Sequence, residues 1–401
     1  MNRKCLTLFV ILISIFQSGC WNQELNEIGA ILGTAIDLEE DKWVITYQIV
    51  IPRSISTQVG GGGSQSPVTV FSTKGTTLLQ AIQRSSLESS RTPFFAHNRV
   101  LIISEKVAKE KGVSEIVDFY LRNGETRETM DVVLSKGPAR YMLETLTPQE
   151  KIPSNTIDLI FKQTENQLSI VRRVRLIDFV SMLADPQTSA VVPEIRIEGN
   201  PKKQSSLDAL NNTVPKGAIK IGDIGIFKKD KLTGLLKQEE GMGIAWLTDH
   251  VQNAIIPFAC AGKEQVGSMS TFVVDRSSTN LTPVIRSGKI TMMVEIETEG
   301  KLNESSCALE LNKPENILKV EKQLKKQIRE DILRTWEQAK EMKADILGFG
   351  QEIHKKNPRE WRKLQPKWGD QLKEVELDLK IEVSVRRTGM INKPFSNIME
   401  K

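Results

Sequence analysis

The first twenty residues limit what the rest of the chain can be. Arg3 and Lys4 form a short basic start, and Cys5 to Phe16 is then a nearly unbroken apolar run of 12 residues. A helix needs about 20 apolar residues to cross a bilayer. Counted through to Cys20, with Gln17 and Ser18 included, the run stays marginal for a span. A signal-peptide h-region needs only about 7–15 residues, with small residues near the cut. Ser18 and Gly19 supply those small residues. The leader therefore reads as a processing signal, with an uncleaved anchor and plain secretion as the alternatives. No later stretch is long and apolar enough to span, so the body is expected to stand outside the cytoplasmic membrane.

Cys20 follows the small pair directly, as in the bacterial lipobox, where the thiol receives a diacylglycerol and becomes the first residue of the mature protein. Gln17 departs from that pattern, which normally has an aliphatic residue three positions before the cysteine. Two acyl chains bury many CH₂ groups at about 0.8 kcal/mol each, enough for stable attachment. Trp21 adjoins the cysteine, and an indole prefers the headgroup level, so it is a candidate interfacial anchor. The remaining cysteines are Cys5 in the leader and Cys260 and Cys307 in the body. Far apart in sequence, the last two are expected as small core residues, with one disulfide as the alternative.

At 401 residues the chain exceeds one typical domain. Apolar residues make up 39% and charged residues 26%, mixed in sign, which suits a folded body. The formal charge of +5 is modest; it is compatible with an anionic membrane surface and does not argue for nucleic acid.

Patterning divides the chain into a leader at 1–19, a tether at 20–27 and three folded units. "WVITYQIV" alternates with period two, after a turn at "LEEDK", and predicts a strand. Gly60 to Gly63 read as a mobile loop; no Lys-Ser/Thr follows, so it is not a phosphate loop. A helix is expected in "TTLLQAIQRSSLES", strands around Val100–Ile103 and in "TMDVVLSKG", a helix from Pro138, and another carrying Leu176, Phe179, Val180 and Leu183 on one stripe. These make a mixed α/β N-terminal domain over 28–198. A polar, breaker-rich stretch at 199–214 is expected as a linker, or else a long hairpin. A small middle domain over 215–265 follows, with a hairpin around "KKDK". The C-terminal domain, 266–401, shows strands, a long helix at 314–347 with Val320, Leu324, Ile328, Ile332, Trp336 and Ala339 on one face, and a final alternating strand from Val375. The fold class is α+β: three mixed α/β domains in tandem, each a mainly antiparallel or mixed sheet with packed helices.

The chemistry-bearing residues do not converge. His97, His250 and His354 lie in different segments, outside any HExxH pattern and away from paired cysteines. A G-x-S-x-G elbow is absent. Glu39-Glu40 and Glu239-Glu240 fit polar turns or helix ends better than an acid/base pair. No catalytic residue, metal ligand or cofactor site is assigned. Arg172, Arg173 and Arg175, and Lys228, Lys229 and Lys231, form short basic clusters that suit a solvated face, or contact with anionic lipid or a membrane partner. Trp361 and Trp368 lie two helical turns apart and are expected to pack against a sheet.

Several stretches together resemble the Ger(x)C family, the lipoprotein subunit of spore germinant receptors. They are "GCWNQELNEIG" (19–29), "FFAHNRVLIISEKVAKEKG" (94–112), "FYLRNGETRETMDVVLSKG" (119–137), "GDIGIFKKDKLTGLL" (222–236), "DILGFGQEIHKKNPREWRKL" (345–364) and "VELDLKIEVSVRRTG" (375–389). The resemblance implies a lipidated Cys20 followed by Trp21, and a body on the outer face of the spore inner membrane. It implies assembly with two integral membrane partners, a large subunit and a permease-like one, in sensing nutrients. It implies three mixed α/β domains, a role in assembly or signal relay, and no assigned catalytic residues. The alternative is a solute-binding lipoprotein that captures the germinant itself. The sequence lacks the two-lobed α/β repeat of transporter-associated binding proteins, which favours the first reading.

Overall fold

Residues 27–51, 66–260, 268–307 and 309–387 are described by a computed structural model. β1 (Ile28–Glu39) and β2 (Lys42–Val50) form an antiparallel hairpin. Glu40 and Asp41 join them with φ of 49° and 59°, the left-handed pair that matches a tight turn to strand twist. Both faces of β2 are buried: Trp43, Ile45, Tyr47 and Ile49 on one, Val44, Thr46 and Gln48 on the other. β3 (Val68–Gly75) pairs with the outer side of β2. α1 (Leu78–Arg84) is capped by the Thr77 hydroxyl, which accepts the Gln80 N–H. β4 (Thr92–Phe94) runs parallel to the start of β1.

β5 (Val100–Ser104) lies parallel to β1. α2 (Glu105–Glu110) and α3 (Ser114–Arg122) cross over to β6 (Asp131–Ser135), parallel to β5. Burial on both faces explains the unbroken runs "VLIIS" and "DVVLS". α4 (Arg140–Glu144) and α5 (Pro153–Gln167) follow. Two buried polar side chains seat them. Asp37 on β1 accepts the Ala139 and Arg140 N–H groups at 2.9 and 3.1 Å. Gln48 on β2 accepts from Ser154 N and Oγ at 3.1 and 2.6 Å and donates to the Leu143 carbonyl at 2.7 Å. α5 is absent from the patterning above; its capping partner lies 106 residues upstream, so the local sequence carries half the signal.

α6 (Leu176–Ala184) leads to β7 (Val191–Gly199), parallel to β6. The stretch expected as a linker is the long hairpin. β7 and β8 (Gly217–Lys228) pair from Gly199↔Gly217 onward, and α7 (Pro201–Gln204) sits between them. Gln204, fully buried, accepts from Lys216 N and donates to the Leu146 carbonyl at 2.8 and 2.9 Å. β9 (Lys231–Leu236) closes a nine-stranded mixed sheet, ordered β3-β2-β1-β5-β6-β7-β8-β9 with β4 beside β1.

α8 (Gly241–Leu247) comes next, then β10 (Ile255–Ala259), β11 (Met269–Arg286) and β12 (Lys289–Ser305). α9 (Pro314–Met342) packs on this sheet and is followed by α10 (Phe349–Lys356), α11 (Pro358–Leu364) and α12 (Trp368–Gln371). β13 (Glu376–Arg387) returns parallel to β12, giving the order β10-β11-β12-β13. The six apolar residues expected on one face of α9 are all buried. That helix stops at Met342 and not near 347, because Lys343 turns left-handed at φ 52° and its N–H closes back on Ala339 and Lys340. The α+β class with mixed sheets is the one observed. The described residues of 215–265 form no sheet of their own: β8 and β9 extend the first sheet, and β10 joins the second. One apolar core runs through both, from Ile102 and Ile226 through Trp246 to Ile332 and Ile296. Gly243 makes this seam possible. A Cβ there would lie 2.1 Å from the Thr335 hydroxyl and 2.7 Å from the Asp331 carbonyl, so α8 and α9 touch backbone to backbone.

Cys260 and Cys307 form a disulfide, against the expectation of two separate core residues. Cys260 follows β10 and Cys307 follows β12, and both strands flank β11, so their ends meet over Ser270 with Cα atoms 5.3 Å apart. Closing a loop of 47 residues corresponds to about 4 kcal/mol in the chain-entropy view. Reduction, or the double variant Cys260→Ser/Cys307→Ser, should cost about 2–4 kcal/mol. Urea unfolding with and without dithiothreitol measures it.

Candidate functional site

Cys20, with Ser18, Gly19 and Trp21, lies outside the described residues. The chain joins the body at Glu27, whose carbonyl accepts the Thr92 N–H at 2.9 Å. The three histidines stay apart. His97 sits in a 3-10 turn with its ring 5.8 Å from Phe94, and His354 on α10 lies 6.3 Å from Trp361. Among the described residues no group of three or more His, Cys, Asp or Glu side chains could hold a metal ion. Glu39 pairs with Lys74, and Glu240 accepts the Lys237 N–H at 2.9 Å. Glu39 ends β1 with Glu40 in the turn that follows, and Glu239 and Glu240 lie in a 3-10 turn.

The basic cluster at 172–175 divides by role. Arg173 is largely buried and bridges two buried carboxylates, Asp131 and Asp158. Burial still holds Asp131 up to about 6 against the pull of that guanidinium. Arg172 points elsewhere, into a cleft of about 870 Å³ where the two sheets meet. The turn 169–174 and the start of β7 line one side; α8, His250 and the start of α10 line the other. Ile170, Val191, Ile224, Ile244 and Leu347 make its floor apolar. Burial, then the nearby Arg172 charge, lowers the His250 pKa, which favours the neutral ring.

Three latches hold the cleft walls. Ser169 Oγ donates to the Gln252 carbonyl at 2.6 Å and accepts the Gln252 N–H at 2.9 Å. Gln351 donates to Asp185 at 2.5 Å. Ser189 N–H donates to the Asp345 carbonyl at 2.8 Å. Asp345 is the centre of the third. Its buried carboxylate accepts from Leu347 N at 3.3 Å, Phe349 N at 3.1 Å, Gly350 N at 2.6 Å and Trp368 Nε1 at 2.9 Å. Burial raises its pKa, and these donors oppose the rise. Trp361 and Trp368 stack edge to face at 5.2 Å beneath it; both are buried, as expected of packing residues. The cleft can admit a small solute. On its wall Thr248 Oγ1 lies 3.1 Å from His250 Nδ1, but that hydroxyl donates to the Ile244 carbonyl at 2.7 Å, so the pair is not arranged as nucleophile and base.

Two family models match the chain in order: "Spore germination protein N-terminal domain" over residues 22–197, and "Spore germination B3/GerAC like, C-terminal" over residues 222–389. The boundary between them falls in the β7–β8 connection, inside the first sheet. The chain is 31% identical to spore germination protein KC of Bacillus subtilis (strain 168) over 99% of both chains. It is 23% identical to spore germination protein B3 of the same organism, over 97% of this chain and 99% of the other. The crystal structure of the GerBC protein superposes with a TM-score of 0.55 at 20% identity, covering 88% of this chain and 97% of that one; that likeness establishes the fold.

Asp345→Ala strands four buried donors, and each unsatisfied group costs about 1–3 kcal/mol. We expect a loss of about 3–5 kcal/mol, read as a lowered urea midpoint, with Trp361 and Trp368 fluorescence shifting to the red.

Proposed function

The chain belongs to the Ger(x)C family of spore germination proteins, and from that premise we propose that it is a non-catalytic, lipid-anchored subunit of a spore nutrient germinant receptor. In this reading Cys20 carries the acyl chains and Trp21 seats beside them in the headgroup layer. The body stands on the outer face of the spore inner membrane. It serves assembly or signal relay with two integral membrane subunits, a large one and a permease-like one.

The match of both halves of the chain, in order, to spore germination domains carries this reading. Two further observations support it. The Cys260–Cys307 disulfide suits a body outside the reducing cytoplasm. Among the described residues no helix is long and apolar enough to cross a membrane, so attachment falls to the leader and its cysteine. Cys20→Ala should remove the lipid mass, move the protein from the membrane to the soluble fraction, and impair nutrient-triggered germination. Unchanged mass and fractionation would refute the anchor.

The cleft favours a second reading, in which the body itself captures a small solute. Its size is that of ordinary small-molecule sites, and like many of them it lies between two folded units. Calorimetric titration of candidate nutrients into the purified protein separates the two. The subunit reading predicts no saturable heat, whereas specific binding that is lost on filling the floor with Ile244→Trp would establish capture.

A further inference from the structure

Glu194 is a buried carboxyl in the middle of the first sheet, 1% exposed. It sits where the β7–β8 register shifts between Pro193 and Ile195, opposite Gly222 and Asp223. Such bulges re-aim side chains. Here the carboxyl lies so close on β8 that a Cβ at Gly222 would stand 2.3 Å from Glu194 Oε1. Its other oxygen, Oε2, is buried with no hydrogen-bond partner.

β5, β6 and β7 are in register at Ser104, Ser135 and Ile195, so Glu105, the first residue of α2, comes to the same end of the sheet as Glu194, two strands away, and its negative charge acts on Glu194. Asp223 adds a third negative charge. Two lysines hold the outer acids: Lys109 pairs with Glu105, and Lys237 pairs with Asp223 at 3.1 Å. Among the described residues no lysine or arginine forms an ion pair with Glu194 itself. These carboxylates do not form a group that could hold a metal ion. Lys109 and Lys237 neutralise Glu105 and Asp223, which leaves Glu194 as the acid that burial and its acidic neighbours drive toward the protonated form.

We propose that Glu194 and Glu105 form a proton-operated latch that clamps the start of α2 to the β7–β8 bulge. With a proton on Glu194, its O–H donates to the Glu105 carboxylate and α2 is held down. When that proton leaves to solvent, two like charges face each other in a buried site, with Asp223 beside them, and the start of α2 is pushed off the sheet. α2 also receives Lys231 from the β8–β9 hairpin, whose Nζ donates to the Glu110 carbonyl at 3.0 Å. Release of α2 would therefore loosen that hairpin as well, giving the body a local two-state element. Burial, with Glu105 next, raises Glu194 from the ordinary 4.5 to about 7. The sign follows: the clamp is fully present below the ordinary pKa, is lost as pH rises toward about 7, and levels off above it.

Hydrogen exchange by mass spectrometry on the full chain in detergent micelles tests this, over pH 5 to 8 and corrected for intrinsic rates. Protection across α2 should fall at least about tenfold between pH 5 and 7.5. Glu194→Gln, permanently neutral, should keep the protection flat. Glu105→Gln should move the midpoint down by more than about one pH unit. Infrared difference spectra, unsubstituted chain minus Glu194→Gln, isolate the carbonyl band of the Glu194 carboxyl from those of the other buried acids; that band should be present at pH 6 and lost by pH 8. An equal slope in Glu194→Gln, flat protection in the unsubstituted chain, or no carboxyl band at pH 6 would overturn the latch.

Discussion

The buried carboxylate of Asp345 organises the junction between the two sheets. Helix N-termini leave their first N–H groups without partners in the helix. Asp345 gathers those of Phe349 and Gly350, adds Leu347, and takes the indole N–H of Trp368 from a third element. Its own carbonyl accepts Ser189 from the approach to β7. One residue thus starts α10, locks the tryptophan pair beneath it and fastens the first sheet to the second. Burying a charge without partners would be prohibitive; four donors make this one tolerable.

Around that point the body behaves as two sheets with a common core. Gly243 lets α8 lie against α9, and Trp246 carries apolar contact from one sheet to the other. The cleft is what remains where this packing stops short of the surface, and hydrogen-bond latches bridge its walls. A seam fastened by a few polar contacts is softer than a continuous apolar interface. Under the function proposed above, this seam and the α2 junction are where a small change in charge or occupancy would alter shape.

Much of the fold was legible because its elements announce themselves locally. The period of "WVITYQIV", the stripe from Val320 to Ala339 and the alternation after Val375 each record which face is buried. The misses share a cause. α5 depends on Gln48, far upstream, to cap it. The end of α9 depends on a left-handed Lys343, a position where glycine would have been the visible sign. The pairing of Cys260 with Cys307 depends on strand order, since both cysteines terminate neighbours of β11. Of the candidate site, Cys20 and Trp21 were read from the leader and lie outside the described residues, while the cleft was not legible, being lined by segments from residue 165 to residue 356.

The sequence by itself determined the strand and helix periods, the α+β class and the family, because each is written in neighbouring residues; the leader and its cysteine are proposed from the same kind of local pattern. Only the tertiary structure decided that β8 and β9 belong to the first sheet, that two distant cysteines meet, and that Glu194 lies buried at the β7–β8 bulge. Those outcomes depend on which strands lie side by side, and that choice is made by burial and by donors and acceptors finding partners across the whole chain.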